Sequence, residues 1–221
     1  MLHFHIVTLF PKMFESYLGD SILARAIKNK KIKVSFYNPR DYAKGKLRKK
    51  WPDGNVTTYV DDRPYGGGPG MVLRAEPILG AAGAALKKGR AKVLMMSPAG
   101  KQFTNEMAEK LKKEKNIIII SGRYEGVDAR VKKILKAEDV SVGPFVLTGG
   151  EVAAMIIIDS VSRRILGVLN KIESLEENRV SSSEIYTRPE TLLWKKKNYR
   201  VPAILLSGHH AKKDEWKKKG K

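Results

Sequence analysis

Apolar positions along the chain change period repeatedly, and each change predicts an element. Residues 3–9 alternate as a first strand, and Pro11 marks the turn into a helix on which Phe14, Leu18, Ile22, Ala26 and Ile27 recur at helical spacing. Residues 33–37 alternate again as a strand. From 38 to 70 the periodicity gives way to a basic stretch rich in Gly and Pro, which predicts long surface loops with one extended piece near 56–60. Loops of that length inside a folded domain usually have a functional reason.

Regular patterning resumes with an alanine-rich helix over 76–86 and a strand over 92–96. Thr104 is placed to cap a helix running through Leu111, and 116–120 is a continuous apolar strand of the kind buried on both faces. A helix over 128–135, a short strand over 139–142 and a helix over 150–162 follow. Strand and helix alternate throughout, so the fold class is α/β with a mostly parallel sheet.

Near Leu169 the pattern lapses. Residues 170–183 are rich in glutamate and serine, and they read either as a mobile tether or as a solvated helix over 173–179. Pro189 begins a small module that ends in a basic helix from His209. Its Leu192, Leu193, Ile204, Leu205, Leu206 and Trp216 are too few for an independent core, so it should dock on the main domain or on a partner subunit.

Charge sharpens this picture. The chain of 221 residues carries a formal net charge of +20, yet its hydrophobic share of 42% is that of a folded protein, so the excess base belongs on the surface. It gathers at 44–50, 195–197 and 212–221, and such a surface suits a polyanion without choosing between RNA and DNA. The absence of cysteine excludes disulfides, a thiolate nucleophile and cysteine-ligated metal. With no leader at the first residues and no membrane-length apolar run, a cytoplasmic protein without a membrane partner is expected.

Candidate chemistry lies in glycine-containing turns: YGGGPGM at 65–71, SPAG at 97–100, GRYEG at 122–126 and the segment 143–150, which contains VLTGG. The last three follow strands, where α/β proteins collect ligands, and if they converge they enclose a pocket able to hold an adenosine by backbone hydrogen bonds. YGGGPGM lacks the Gly-Lys-Ser/Thr ending of a phosphate loop, and no G-x-G-x-x-G follows the first strand. His3 with His5, and His209 with His210, lack the further ligands a metal needs, so no metal site is assigned and these histidines read as packing or hydrogen-bonding residues.

Taken in order, LFPKMFE (9–15), DDRPYGGGPGM (61–71), GRYEGVD (122–128), VLTGGE (146–151), DSVSR (159–163), YTRPE (186–190) and the terminal HAKKDEW resemble the bacterial tRNA (guanine-N1)-methyltransferases that modify guanine 37. The resemblance implies a SPOUT-type core with a deep trefoil knot over 1–168, a mobile tether over 169–187 and a short basic tRNA-binding module over 188–221. It implies a homodimer with shared active sites, S-adenosylmethionine as methyl donor, magnesium as an aid without an identified protein site, and a tRNA carrying G36-G37 as substrate. Position by position, the cofactor residues become Ser97, Pro98, Gly100, Gly122, Tyr124, Glu125, Val142, Gly143, Phe145, Leu147, Gly149 and Gly150. Asp61, Tyr65, Arg188, Lys212 and Lys213 become the tRNA contacts, and Arg163 the guanidinium that stabilises charge at O6 of the base.

Several positions depart from the family pattern. The tether aspartate that takes the N1 proton in the family aligns with Asn178, and a neutral amide is no general base. Glu177 or Glu176 could serve instead; Asn178 could orient the base while water carries the proton; or the chain could be an impaired, RNA-binding homologue. Ala99, Ser121, Ala129, Pro144 and Glu184-Ile185 also replace family residues, and Pro144 removes an amide donor from the cofactor loop.

Overall fold

A computed structural model describes residues 1–169 and 184–219, and the chain divides into two compact units, Met1–Leu169 and Asn170–Lys221. The first unit begins with β1 (Leu2–Val7), α1 (Glu15–Leu18), α2 (Ser21–Lys28) and β2 (Ile32–Tyr37). The polar excursion then forms β3 (Arg48–Lys50), β4 (Val56–Thr58), β5 (Asp61–Asp62) and β6 (Val72–Leu73). After it come α3 (Ala75–Leu86), β7 (Lys92–Gln102), α4 (Asn105–Leu111), β8 (Asn116–Ile120), α5 (Ala129–Leu135), β9 (Glu138–Ser141) and α6 (Gly150–Ser162).

Five strands make one parallel sheet in the order β2-β1-β8-β7-β9. Side-chain alternation divides its two faces. Phe4, Ile6, Leu94, Met96, Ile117 and Ile119 point to the side covered by α2, α4 and α6, while Val7, Val93, Met95, Ile118 and Ile120 face α3 and α5. Both faces are apolar because both are covered, which is why β8 reads as an unbroken isoleucine run. Each fully buried isoleucine contributes about 1.5–3 kcal/mol relative to an exposed one. The sheet therefore carries much of the unit's stability and fixes where the strands end.

Three details differ from the sequence reading. The helix expected through Phe14 to Ile27 is broken, because Gly19 closes α1 and the Asp20 carboxylate accepts the Ser21 N–H at 2.6 Å to start α2. Residues 97–100 are not a loop after a strand but part of β7, which slips register against β9 between Met96 and Lys101. The extended piece expected near 56–60 is present as β4, and what differs is its partner: β3, in the stretch expected as loop, pairs with it as an antiparallel hairpin.

His3 and His5 behave as packing and hydrogen-bonding residues. Their rings lie 3.8 Å apart; His3 Nε2 meets Ser35 Oγ at 2.8 Å, and His5 meets Tyr37 OH at 3.0 Å and Asn116 Oδ1 at 3.1 Å. Burial, then the neighbouring His5, lowers the His3 pKa to about 4.

In the second unit, β10 (Thr191–Trp194) and β11 (Lys197–Arg200) pair as an antiparallel hairpin, followed by α7 (Ala203–Leu206) and α8 (His210–Lys219). The hairpin was not expected from the sequence. Leu192, Leu193 and Trp194 all remain exposed on it.

Candidate functional site

The carboxyl ends of β8 and β9, with the register slip in β7, open onto a cavity of about 250 Å³. This is the side of a parallel sheet on which ligands collect. Ser97 and Pro98 reach it from the irregular part of β7, Gly122, Tyr124 and Glu125 from the loop after β8, and Val142, Phe145, Leu147, Gly149 and Gly150 from the segment leading into α6. Two other expected cofactor residues, Gly100 and Gly143, do not line it. A Cβ on Gly100 would come within 2.5 Å of the Asp139 and Val140 backbone, and one on Gly143 would collide with the Phe145 ring, so both permit close packing behind the wall.

Backbone contacts bring the turns together. Gly150 N–H donates to the Gly122 carbonyl at 2.9 Å, and a Cβ on Gly150 would lie 2.7 Å from Ser121 Cα, so α6 can start against the end of β8 only with glycine there. YGGGPGM joins from the other side. Gly70, at φ +79°, packs where a Cβ would lie 2.6 Å from Glu125 Oε1, and Glu125 N–H donates to the Met71 carbonyl at 3.0 Å. Leu73 continues the contact through its N–H to the Gly126 carbonyl at 2.9 Å, while pairing with Asp61 across β5–β6. Tyr65, in the same loop, is fully exposed.

A buried polar arrangement behind the cavity was missed by sequence reasoning. Glu151 is fully buried; its Oε1 accepts the Thr8 hydroxyl at 2.8 Å, and its Oε2 lies 2.9 Å from Arg123 Nε. The Arg123–Glu151 approach is an ion pair without hydrogen-bond alignment, since neither Arg123 Nε nor Glu151 Oε2 has a hydrogen-bond partner among the described residues. The Arg123 guanidinium sits 4.6 Å from the centre of the Phe10 ring and donates to the Thr148 carbonyl at 3.4 Å. A Cβ on Gly149 would strike both Arg123 and Glu151. The signal was present in the charged residues that interrupt GRYEG and close VLTGGE, but their pairing depends on a contact across the fold.

Arg163 lies elsewhere. It follows the last turn of α6 and lines a separate cavity of about 500 Å³ with Ser16, Tyr17, Asp20, Asp159 and Leu169. Tyr17 OH donates to Asp159 Oδ2, and that hydrogen bond is the main reason its pKa is pushed up to about 12. Gly150 and Arg163 bracket α6, and at 1.5 Å rise per residue they stand about 20 Å apart along its axis.

Glu176, Glu177 and Asn178 lie outside the described residues. In the second unit Arg188 and Lys212 are exposed and Lys213, on α8, is partly buried. Of the positions that depart from the family pattern, Ser121 is buried with no partner for its hydroxyl among the described residues, and Pro144 is exposed. Ala129 opens α5 beside Asp128, which binds Arg130 through both oxygens and has its pKa lowered chiefly by that contact. Among the described residues no three His, Asp or Glu side chains gather as a metal would require.

The cavity has the chemistry of a nucleoside site. Met96, Val140, Val142, Leu147 and Ala153 supply apolar wall, the loops 122–126 and 143–150 with the irregular part of β7 present backbone to it, and Glu125 supplies a carboxylate. These residues fit S-adenosylmethionine.

The sequence matches the family described as tRNA (Guanine-1)-methyltransferase TrmD over residues 2–221. A tRNA (guanine-N(1)-)-methyltransferase of Caldanaerobacter subterraneus subsp. tengcongensis is 43% identical over 219 residues, covering 97% of this chain and 85% of the relative. The protein of the same description from Geobacter sp. (strain M21) is 44% identical over 223 residues, 99% of this chain and 84% of the relative. The crystal structure of tRNA (m1G37) methyltransferase from Aquifex aeolicus is similar with a TM-score of 0.76 and 38% identity, covering 98% of this chain and 87% of that one. The fold is accordingly the SPOUT type, α/β with a trefoil knot, followed by a small C-terminal module that ends in helices. With its cavity at the strand ends and its sequence matched from residue 2 to residue 221, the chain belongs to the tRNA (guanine-1)-methyltransferase TrmD family.

Proposed function

We propose that this protein transfers a methyl group from S-adenosylmethionine to N1 of guanine 37 in tRNA carrying G36-G37. The observation that carries the reading is the meeting of the strand-end turns in one cavity, with YGGGPGM packed on Glu125 at its edge. Bound there, the cofactor supplies an activated methyl group on sulfur. Loops 122–126 and 143–150 hold it with backbone groups and limit access of water, while Asp61 and Tyr65 contact the tRNA.

Guanine N1 bears a proton, so the protein must remove it while N1 is held in line with the methyl group. Arg163 stabilises the negative charge that develops toward O6, and Glu177 takes the proton, with Asn178 at the family's aspartate position. An arginine side chain spans far less than the roughly 20 Å of α6 that separates Arg163 from Gly150. The reading is therefore a homodimer in which Arg163 and the tether of one protomer serve the cofactor cavity of its partner. Arg188, Lys212 and Lys213 add phosphate contacts, a magnesium ion assists without a protein ligand set, and the setting is the cytoplasm.

Radiolabelled methyl transfer to a tRNA with G36-G37, beside a G37-to-A control, tests this directly. Incorporation confined to the G37 substrate, and lost in Glu177→Gln, is expected; full activity of Glu177→Gln would remove that residue from the mechanism. One feature favours a second reading, an RNA-binding homologue without turnover: the amide of Asn178 at the base position. Tight tRNA binding with no incorporation, restored by Asn178→Asp, would decide for it.

A further inference from the structure

The hairpin β3–β4 has no place in the site described above, and its chemistry is distinctive. Five of the seven residues at 44–50 are Lys or Arg, and the one carboxylate of the hairpin, Asp53 in its turn, is engaged locally by Asn55 N at 2.9 Å and Asn55 Nδ2 at 2.7 Å. None of Lys44, Lys46, Arg48, Lys49 and Lys50 has an ion-pair partner among the described residues. Strand β3 is exposed throughout, so core burial does not account for the hairpin.

Trp51 is arranged on this surface. Its Nε1 donates to Thr57 Oγ1 at 3.0 Å and Lys49 Nζ lies 3.7 Å from the ring centre, yet the residue remains 40% exposed. A partly exposed aromatic ring fixed by a hydrogen bond, with a lysine ammonium over one face, can stack on a nucleic-acid base with its remaining surface while neighbouring lysines take the phosphates. A lipid surface would instead call for a broad apolar face, and the hairpin presents a single large aromatic among charges.

The root of the hairpin leads to the cofactor-side cavity. Tyr59 N–H donates to the Leu47 carbonyl at 2.8 Å, and Arg74 N–H to the carbonyl of buried Val60 at 2.8 Å. The neighbouring Leu73 is bonded to Gly126, which lines that cavity. The same excursion thus carries the hairpin at one end and packs on the cofactor loop at the other.

We propose that the β3–β4 hairpin is an RNA-binding arm that grips the tRNA outside the methylated nucleotide, with Lys46, Lys49 and Lys50 on phosphates and Trp51 stacked on a base. This rests on the tRNA reading above.

The test compares K46Q/K49Q/K50Q with a control of equal charge loss on exposed lysines near α4, K110Q/K113Q/K115Q, in the full chain. Affinity for a G36-G37 tRNA transcript is measured from 50 to 200 mM salt, alongside S-adenosylmethionine binding and methyl transfer. The hairpin variant should bind tRNA about tenfold or more weakly, with a log–log salt slope shallower by about two to three, as three lost phosphate contacts require. Its KM for tRNA should rise while kcat and cofactor binding hold, and the control should change far less. Trp51→Ala should weaken binding by about fivefold or more, with Trp51→Phe restoring most of it.

Equal losses in hairpin and control variants would reduce the effect to bulk charge and overturn the proposal. So would unchanged tRNA affinity in both K46Q/K49Q/K50Q and Trp51→Ala, including the case where the hairpin variant loses binding only to anionic lipid vesicles. Failure of the unsubstituted chain to bind or methylate tRNA would instead strike the substrate reading, and its own arm of the experiment shows which has failed.

Discussion

The two cavities of the first unit differ in what one chain provides. The cofactor-side cavity is walled by strand ends and by turns that bond to one another, and the Glu151 carboxylate behind it meets Thr8 on one oxygen and Arg123 on the other. The cavity beside Arg163 is bordered by surface helices, with Tyr17 and Asp159 in contact where solvent reaches them. In the proposed reaction, holding the cofactor falls to the sheet. Handling the base needs groups that the sheet does not supply, which is the physical case for a second protomer in the proposed reaction.

Removing Arg163 should separate the two functions most strongly. Arg163→Ala is expected to lower kcat by about 100- to 1,000-fold, the range for losing one group that stabilises transition-state charge. S-adenosylmethionine binding by calorimetry should stay within about twofold of the unsubstituted protein. Loss of cofactor binding in this variant would mean that the two cavities are not independent.

The next largest effect should come from the buried pair. Glu151→Ala leaves the Arg123 guanidinium without its partner behind the wall, and about 3 kcal/mol of unfolding free energy should be lost in urea titration. Cofactor affinity should fall with it, because Arg123 also holds the Thr148 carbonyl. Normal cofactor affinity at temperatures where the variant stays folded would show that the pair supports the fold and not the cavity.

Tyr17→Phe tests the open cavity more gently. An exposed hydrogen bond is worth about 1 kcal/mol or less, so kcat should drop no more than about fivefold with cofactor binding unchanged.

The smallest effect lies outside both cavities, at His3. Its folded pKa of about 4 is below the unfolded value of 6.5, so its contribution to stability is complete above pH 6.5 and is lost as pH falls toward 4. Melting temperature should decline across that window, and less steeply in His3→Gln. Equal slopes in both proteins would assign the decline to other groups.

Much of this architecture was legible because burial writes itself into the sequence. The isoleucine run of β8, short and β-branched throughout, favoured a strand covered on both sides, and α6 was readable to its ends from its apolar spacing and initial glycine. Local motifs likewise marked the turns that line the cavity. Contacts between distant segments were not legible: Glu151 at the start of a helix looks like an exposed first-turn acid until Thr8 and Arg123 are brought to it. The stretch 97–100 looks like a loop because its Pro and Gly are turn residues, and only its neighbour β9 shows that the strand resumes. The hairpin β10–β11 escaped because its turn, at Lys195 and Lys196, uses lysines with positive φ where Asn or Gly would have given a signal.

Helix α6 starts at Gly150, wedged against the end of β8, and Arg163 follows its final turn. A single alanine inserted near its midpoint would advance everything beyond by 1.5 Å and swing it through about 100°. The Gly150 end would keep its seat while the guanidinium swung away from the position the proposed reaction requires. Substitutions at its exposed positions, Val152 and Ile156, are therefore far better tolerated than a change in its length, and relatives that share the proposed chemistry should preserve the spacing between that glycine and that arginine to the residue.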